Sequence, residues 1–300
     1  MLLVHTLTSL PPGYSVDVTK SSGFRVNVSW TEAAIYALAP GHNEFWNCLT
    51  DVLPCIFFAA AGFAMAPSAT FKATPPELQS AILWTIAGTC LQHMCSLASH
   101  MFTSVSARMS HAIWFLDYSG IGLNFVWNAP AMALVWRYET FAPYWDAWFA
   151  WNMVLTAVAL GGSLWLAAVH KPCPKLPTAG ESWTKTFFGK GLPSVLFLAL
   201  LLFPNLFFTA ACGIHADGRA LGVVLVLPFA LTYKEAHLPE RLVETFGAGR
   251  FDCSFLHSHV IWHLLVWLMQ TFYLLAYVRI VDRSGQEADC PFTYAELPLE

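Results

Sequence analysis

The chain has 300 residues, of which 56% are hydrophobic and only 11% charged, and its mean hydropathy is +0.52. Soluble domains average roughly 25% charged residues, so water is not its main solvent and a disordered chain is excluded. Fifteen Lys and Arg against 19 Asp and Glu leave a net charge of −4 and no basic surface for nucleic acid.

A helix crosses a hydrocarbon core of about 30 Å in about 20 apolar residues, rising about 1.5 Å per residue with every backbone polar group satisfied internally. The N-terminal MLLVHTLTSL lacks the positive flank of a secretory signal, so it reads as part of the mature chain. Residues 1–43 read as an extramembrane arm in which 30–39 predict an interfacial helix. The arm carries the only glycosylation sequon, Asn27-Val28-Ser29.

Seven apolar segments follow, near 44–65, 80–102, 112–136, 146–169, 193–214, 218–234 and 258–281, the sixth being the shortest. The longest connections, HKPCPKLPTAGESWTKTFFGKG and KEAHLPERLVETFGAGRFDCS, precede the fifth and seventh segments and are polar or rich in proline. Residues 282–300 form a short tail that ends in ELPLE, which is no lipid-anchor or retention signal. The eight cysteines follow no loop spacing, and no disulfide framework is readable.

These segments predict an all-α membrane protein, a bundle of seven transmembrane helices. Ten of the fifteen Lys and Arg lie on the faces shared by the arm and the loops after segments two, four and six. The positive-inside rule then places the N-terminus in the cytosol and the C-terminus outside. With that orientation Asn27 stays unmodified.

Ionisable groups inside a membrane are expensive and need a reason to be there. His259 and His263 stand one turn apart at the start of the seventh segment, with both imidazoles on one face. Ser96 and His100 form a similar pair at the end of the second segment, and Asp117 opens the third. Segments alternate in direction, so all five residues lie at the cytosolic side of the membrane.

A single HxxxH pair in a membrane helix is more often a packing feature than a ligand set. His100 and Asp117 at matching depth shift the balance toward a metal. Three neutral imidazoles suit Zn²⁺ and leave a fourth position for water, the pattern of a catalytic site. Asp117 then orients that water or takes its proton. His93 lies about 10 Å along the axis from His100, too far to share an ion. His111 and His257 read as interfacial polar residues, and Cys253 as a loop thiol and substitute ligand at most. Asp51, inside the first segment, either supports the site from behind a ligand or pairs with a neighbouring helix.

SLASH ending at His100, LDYSGI from Leu116, HLPER from His237, GRFD from Gly249 and HSHVIWH over 257–263 together closely resemble the progestin and adipoQ receptor family. The SxxxH, LDY and HxxxH combination is also similar to the wider superfamily that contains the alkaline ceramidases. The resemblance spans roughly residues 43–281. It implies a seven-helix receptor with a cytosolic N-terminus and a zinc ion on three histidines, here His100, His259 and His263. It also implies a place for Asp117 beside the water at the metal and for Ser96 as a hydrogen-bond donor there. The family usually has an Asn-x-Trp-Thr-His run entering the first helix, whereas this chain reads Glu44, Phe45, Trp46, Asn47, Cys48 and lacks that histidine. HLPER and the aromatics near LDY look somewhat closer to the progestin-type than to the adiponectin-type branch.

The resulting expectation is a multi-pass protein of the plasma membrane whose zinc site hydrolyses a ceramide-type lipid amide. Asp117 and Ser96 are the catalytic residues, and Ser96 steadies the oxyanion. The alternative is a steroid or hormone receptor in which zinc is only structural. There, a membrane-dissolved steroid or an extracellular hormone shifts the helix packing.

Overall fold

A computed structural model describes residues 22–117, 119–124, 127–128, 142–169 and 257–286, together with 5–6, 9–11 and 14. Among these residues the protein is helical, with no strand and one isolated antiparallel bridge between His5 and Phe24. The expected fifth and sixth segments, both long connections, and the HLPER and GRFD motifs lie outside the described residues.

Helix α1 (Trp30–Ile35) starts where the sequence signals it, at a capping box. Ser29 Oγ accepts from the Glu32 amide at 3.1 Å, and Glu32 Oε2 accepts from the Ser29 amide at 2.9 Å. It ends at Ile35, sooner than the expected 39; turns follow over 36–38, and Pro40 and Gly41, at φ 96°, keep the chain from resuming the helix.

Helix α2 (Phe45–Met65) coincides with the first expected segment, and its 21 residues reach about 31 Å. Pro54 lies inside it and cannot donate to the carbonyl of Thr50. A short α3 (Ala69–Ala73), capped by Ser68, leads into α4 (Pro76–Phe102). That helix begins four residues before the expected 80 because hydropathy detects the apolar stretch and not the polar first turn, where Pro76 fits without cost.

The third expected segment starts differently. Ser106 caps α5 (Ala107–Ala112), the chain turns at Ile113, and a new helix follows, α6, whose described residues are 114–117, 119–124 and 127–128. After a 3-10 turn at Ala142–Tyr144 comes α7 (Trp145–Val169), and α8 (Ser258–Gln286) continues past the expected 281.

The polarity of the bundle is inverted relative to a soluble protein. Its outer faces expose Ile56, Phe63 (83%), Met94, Trp151, Val158 and Phe272. Its interior holds an apolar cluster built on Phe58, Phe71, Leu78, Ile82, Leu274 and Tyr277. Beside it runs a buried polar stripe along one face of α4: Thr85, Thr89, Gln92, His93, Ser96 and His100, at helical spacings of three and four. Polar groups turned inward and apolar groups outward suit a hydrocarbon surround. Among the described residues, α2 and α4 are long and apolar enough to cross a membrane.

Helices α4 and α6 meet through glycine. A Cβ at Gly120 would stand 2.7 Å from the Cβ of Cys95 and 3.0 Å from the carbonyl oxygen of Gln92. Neither neighbour is the end of a flexible side chain, so Gly120→Val is expected to push α6 off α4. The expected cost is about 1–3 kcal/mol or more. Thermal unfolding in detergent checks this, and an unchanged melting temperature would contradict the close approach.

On one side of Arg25 the arm is tied back to its own end, and on the other to the bundle. The Asn43 amide donates to Gly23 O at 2.9 Å, and the Val28 amide donates to Ser104 O at 3.4 Å. Asn27, at φ 53°, has its side-chain oxygen held by the Tyr14 hydroxyl at 2.8 Å. Arg25 is 4% exposed, and its three guanidinium nitrogens have no hydrogen-bond partner among the described residues. Burial pushes its pKa down from the ordinary arginine value. The charge is not without compensation, because Glu44 attracts it electrostatically.

Candidate metal centre

The last turn of α4 and the first two turns of α8 meet at the end of the bundle next to the arm. His100, fully buried, comes from α4, and His259 and His263 come from α8. One ligand nitrogen from each lies within 4.8 Å of the other two. His259 Nε2 is 3.1 Å from His100 Nε2. Two nitrogens on one tetrahedral zinc stand about 3.3 Å apart, given bonds of 2.0–2.1 Å.

The outward nitrogens show which way the inward ones face. His100 Nδ1 donates to Glu44 Oε2 at 2.8 Å, which leaves its Nε2 as a lone-pair nitrogen pointing at His259. Thr50 Oγ1 reaches the carbonyls of Trp46 (2.8 Å) and Asn47 (3.1 Å), so its one hydrogen is committed there. Toward His263 Nδ1, at 3.0 Å, it therefore accepts. In that arrangement the proton of His263 sits on Nδ1, the side that also faces the Asp51 carboxylate at 3.6 Å, and Nε2 is free for the centre. Two imidazoles locked in the ligand tautomer by outer partners are what metal-binding histidines require. The donor set thus fits a zinc ion.

Glu44 is itself held in place. Asn47 Nδ2 donates to its Oε2 at 2.7 Å, and the side-chain amide of Asn43 donates to Oε1. Its backbone amide donates to His42 Nδ1 at 3.2 Å, which closes the N-terminus of α2. Burial, with the Arg25 charge adding to it, pushes the His42 pKa down to about 4, so its ring stays neutral and able to accept.

Of the expected site residues, the structure brings the three histidines together. Asp117 is buried on α6 and near enough to act electrostatically on His100. Ser96 is buried one turn before His100 on the same face of α4. His93 stands apart from the three imidazoles, as its distance along the helix requires, and bonds to Asp51 at 2.9 Å. His257 departs from its reading as an interfacial residue: it is buried at the start of α8, where its Nδ1 accepts from the His259 amide at 3.3 Å. His111 falls in α5, and Cys253 lies outside the described residues.

Glu44, Asn47 and Thr50 were not singled out as site residues by the sequence. The signal was present: with Asp51 they recur every three to four positions at one end of an apolar helix, at the depth of the histidines.

A family model described as Haemolysin-III related matches residues 40–274, well over half of the chain. The membrane progestin receptor delta of Homo sapiens is 28% identical over 261 residues, covering 85% of this chain and 72% of the relative. The human membrane progestin receptor gamma is 28% identical over 251 residues, covering 81% and 71%. The heptahelical transmembrane protein 3 of Arabidopsis thaliana is 24% identical over 208 residues, covering 66% and 54%. With its helical architecture, its inverted polarity and these matches, the chain belongs to the haemolysin-III-related, progestin and adipoQ receptor family of integral membrane proteins.

Proposed function

We propose that this is a seven-span membrane protein that holds a zinc ion on His100, His259 and His263 and hydrolyses an amide bond in a ceramide-type lipid. The observation that carries the reading is the meeting of three buried or half-buried imidazoles, two of them with their outward nitrogens engaged, inside an apolar bundle. Zinc bound there supplies a Lewis acid that polarises a carbonyl and makes water more acidic. Asp117 would orient the water, accept its proton as the carbonyl is attacked and pass it to the amine nitrogen as the C–N bond breaks, so that a fatty acid and a sphingoid base leave. Ser96 donates a hydrogen bond to the substrate oxygen as negative charge develops on it, an interaction that is typically worth about 3 kcal/mol. Glu44 and Thr50 hold two ligand rings in register, and the buried setting keeps bulk water out.

In the proposed arrangement residues 1–43 form a cytosolic arm, 44–281 the spanning bundle and 282–300 an external tail, at the plasma membrane. A second reading is favoured by the names of the human relatives, which are progestin receptors. In it the zinc is structural, and a steroid or an external hormone shifts the helix packing.

Elemental analysis of the full-length protein in detergent, followed by incubation with labelled ceramide, separates these readings. About one zinc per chain with release of labelled fatty acid supports the hydrolase. Zinc without release supports the receptor, and protein without zinc ends the enzymatic reading.

A further inference from the structure

A buried polar chain passes behind the three imidazoles, and zinc binding alone does not account for it. Asp51 Oδ1 on α2 accepts from His93 Nδ1 on α4 at 2.9 Å. His93 Nε2 meets the side-chain amide of Gln270 on α8 at 2.7 Å, and that amide meets the Gln92 amide at 2.8 Å. All four side chains are buried. Three helices are braced by one continuous run of hydrogen bonds.

With the Gln270 amide nitrogen donating to His93 Nε2 the ring is neutral, and such a brace does not require a carboxylate, because an amide oxygen at position 51 would accept from His93 Nδ1 equally well. The charge therefore serves something else. Asp51 Oδ2 has no hydrogen-bond partner among the described residues and stands 3.6 Å from His263 Nδ1. A carboxylate oxygen left unpaired in a membrane interior is costly. Here it acts by charge, at 3.6 Å, on the outward side of an imidazole whose Nδ1 is hydrogen-bonded to Thr50 Oγ1 and whose inward nitrogen faces the metal centre.

We propose that Asp51 is a positioning residue for the metal. Held by His93, Gln270 and Gln92, it fixes the ring of His263 and strengthens its inward nitrogen as a donor, so that tight binding of a divalent cation depends on it. A carboxylate behind a ligating imidazole acts in this way, and its loss typically weakens metal binding about 10–100-fold. The inference rests on the three histidines being metal ligands.

The test uses full-length protein in detergent and Zn²⁺ competed against a chromophoric chelator, with Co²⁺ absorption as a report on ligand geometry. Asp51→Asn is expected to bind zinc about 10–100-fold more weakly and still to reach wild-type stoichiometry and a tetrahedral Co²⁺ spectrum at saturation. Its melting temperature without metal is expected to hold or rise, since a buried charge is removed. A purely packing role gives the reverse pattern, unchanged affinity and a lower metal-free melting temperature, and would overturn the proposal. Gln270→Leu cuts the brace two bonds from Asp51 and is expected to weaken zinc by about 10-fold. If Asp51→Asn does not fold, an unchanged affinity in Gln270→Leu overturns the proposal. Wild-type protein without zinc would overturn the metal reading along with it, whereas wild-type zinc with an indifferent Asp51→Asn overturns this inference alone.

Discussion

Replacing His259 and His263 together with alanine is expected to abolish zinc binding, taking the purified protein from about one ion per chain to none by elemental analysis. Both residues sit on the first two turns of α8, and their removal leaves His100 as the only imidazole of the three. One imidazole cannot hold zinc against a chelator. A metal bound far above its dissociation constant stabilises the folded state, by about 4 kcal/mol at a thousandfold excess. The double variant should therefore melt at the temperature of metal-stripped wild type and show no further rise when zinc is added. A variant that keeps its zinc would show that the ion is held elsewhere.

Asp117→Ala is expected to keep zinc and lose turnover, by about 10²–10⁴-fold for a lost general base. Asp117 lies on α6, outside the three-nitrogen set, and reaches His100 through its charge. Zinc stoichiometry should stay at the wild-type value while release of fatty acid from labelled ceramide falls. Unchanged turnover would remove Asp117 from the chemistry. If wild type has no amidase activity, and Asp117→Ala still binds zinc and still responds to a steroid, the structural-zinc reading gains.

Much of this was legible in the sequence because two periodic signals are strong in a membrane protein. Runs of about 20 apolar residues located α2, α7 and the start of α8 to within a residue or so. The HxxxH spacing put His259 and His263 on one face, and alternation of direction brought His100 to the same end. Hydropathy does not register caps and turns, so α3, α5 and the break at Ile113 were missed. Each depends on a local hydrogen bond, such as Ser68 Oγ to the Phe71 amide or Ser106 Oγ to the Met109 amide. The outer partners of the ligands were hidden for another reason. Glu44 meets His100 across 56 positions and Thr50 meets His263 across 213, pairings that only the packed bundle defines. Asp51 was recognised as anomalous, but its link to His93 and Gln270 could not be read from spacing within one helix.

The 159 positions that separate His100 from His259 also set the order of events during synthesis. The ribosome delivers α4 to the bilayer long before α8, so no complete ligand set exists until the final described helix has inserted and docked. If the three imidazoles hold zinc as proposed, metal uptake is a closing step of biogenesis. A chain stalled or truncated ahead of α8 would carry His100 and its Glu44 partner without the other two imidazoles.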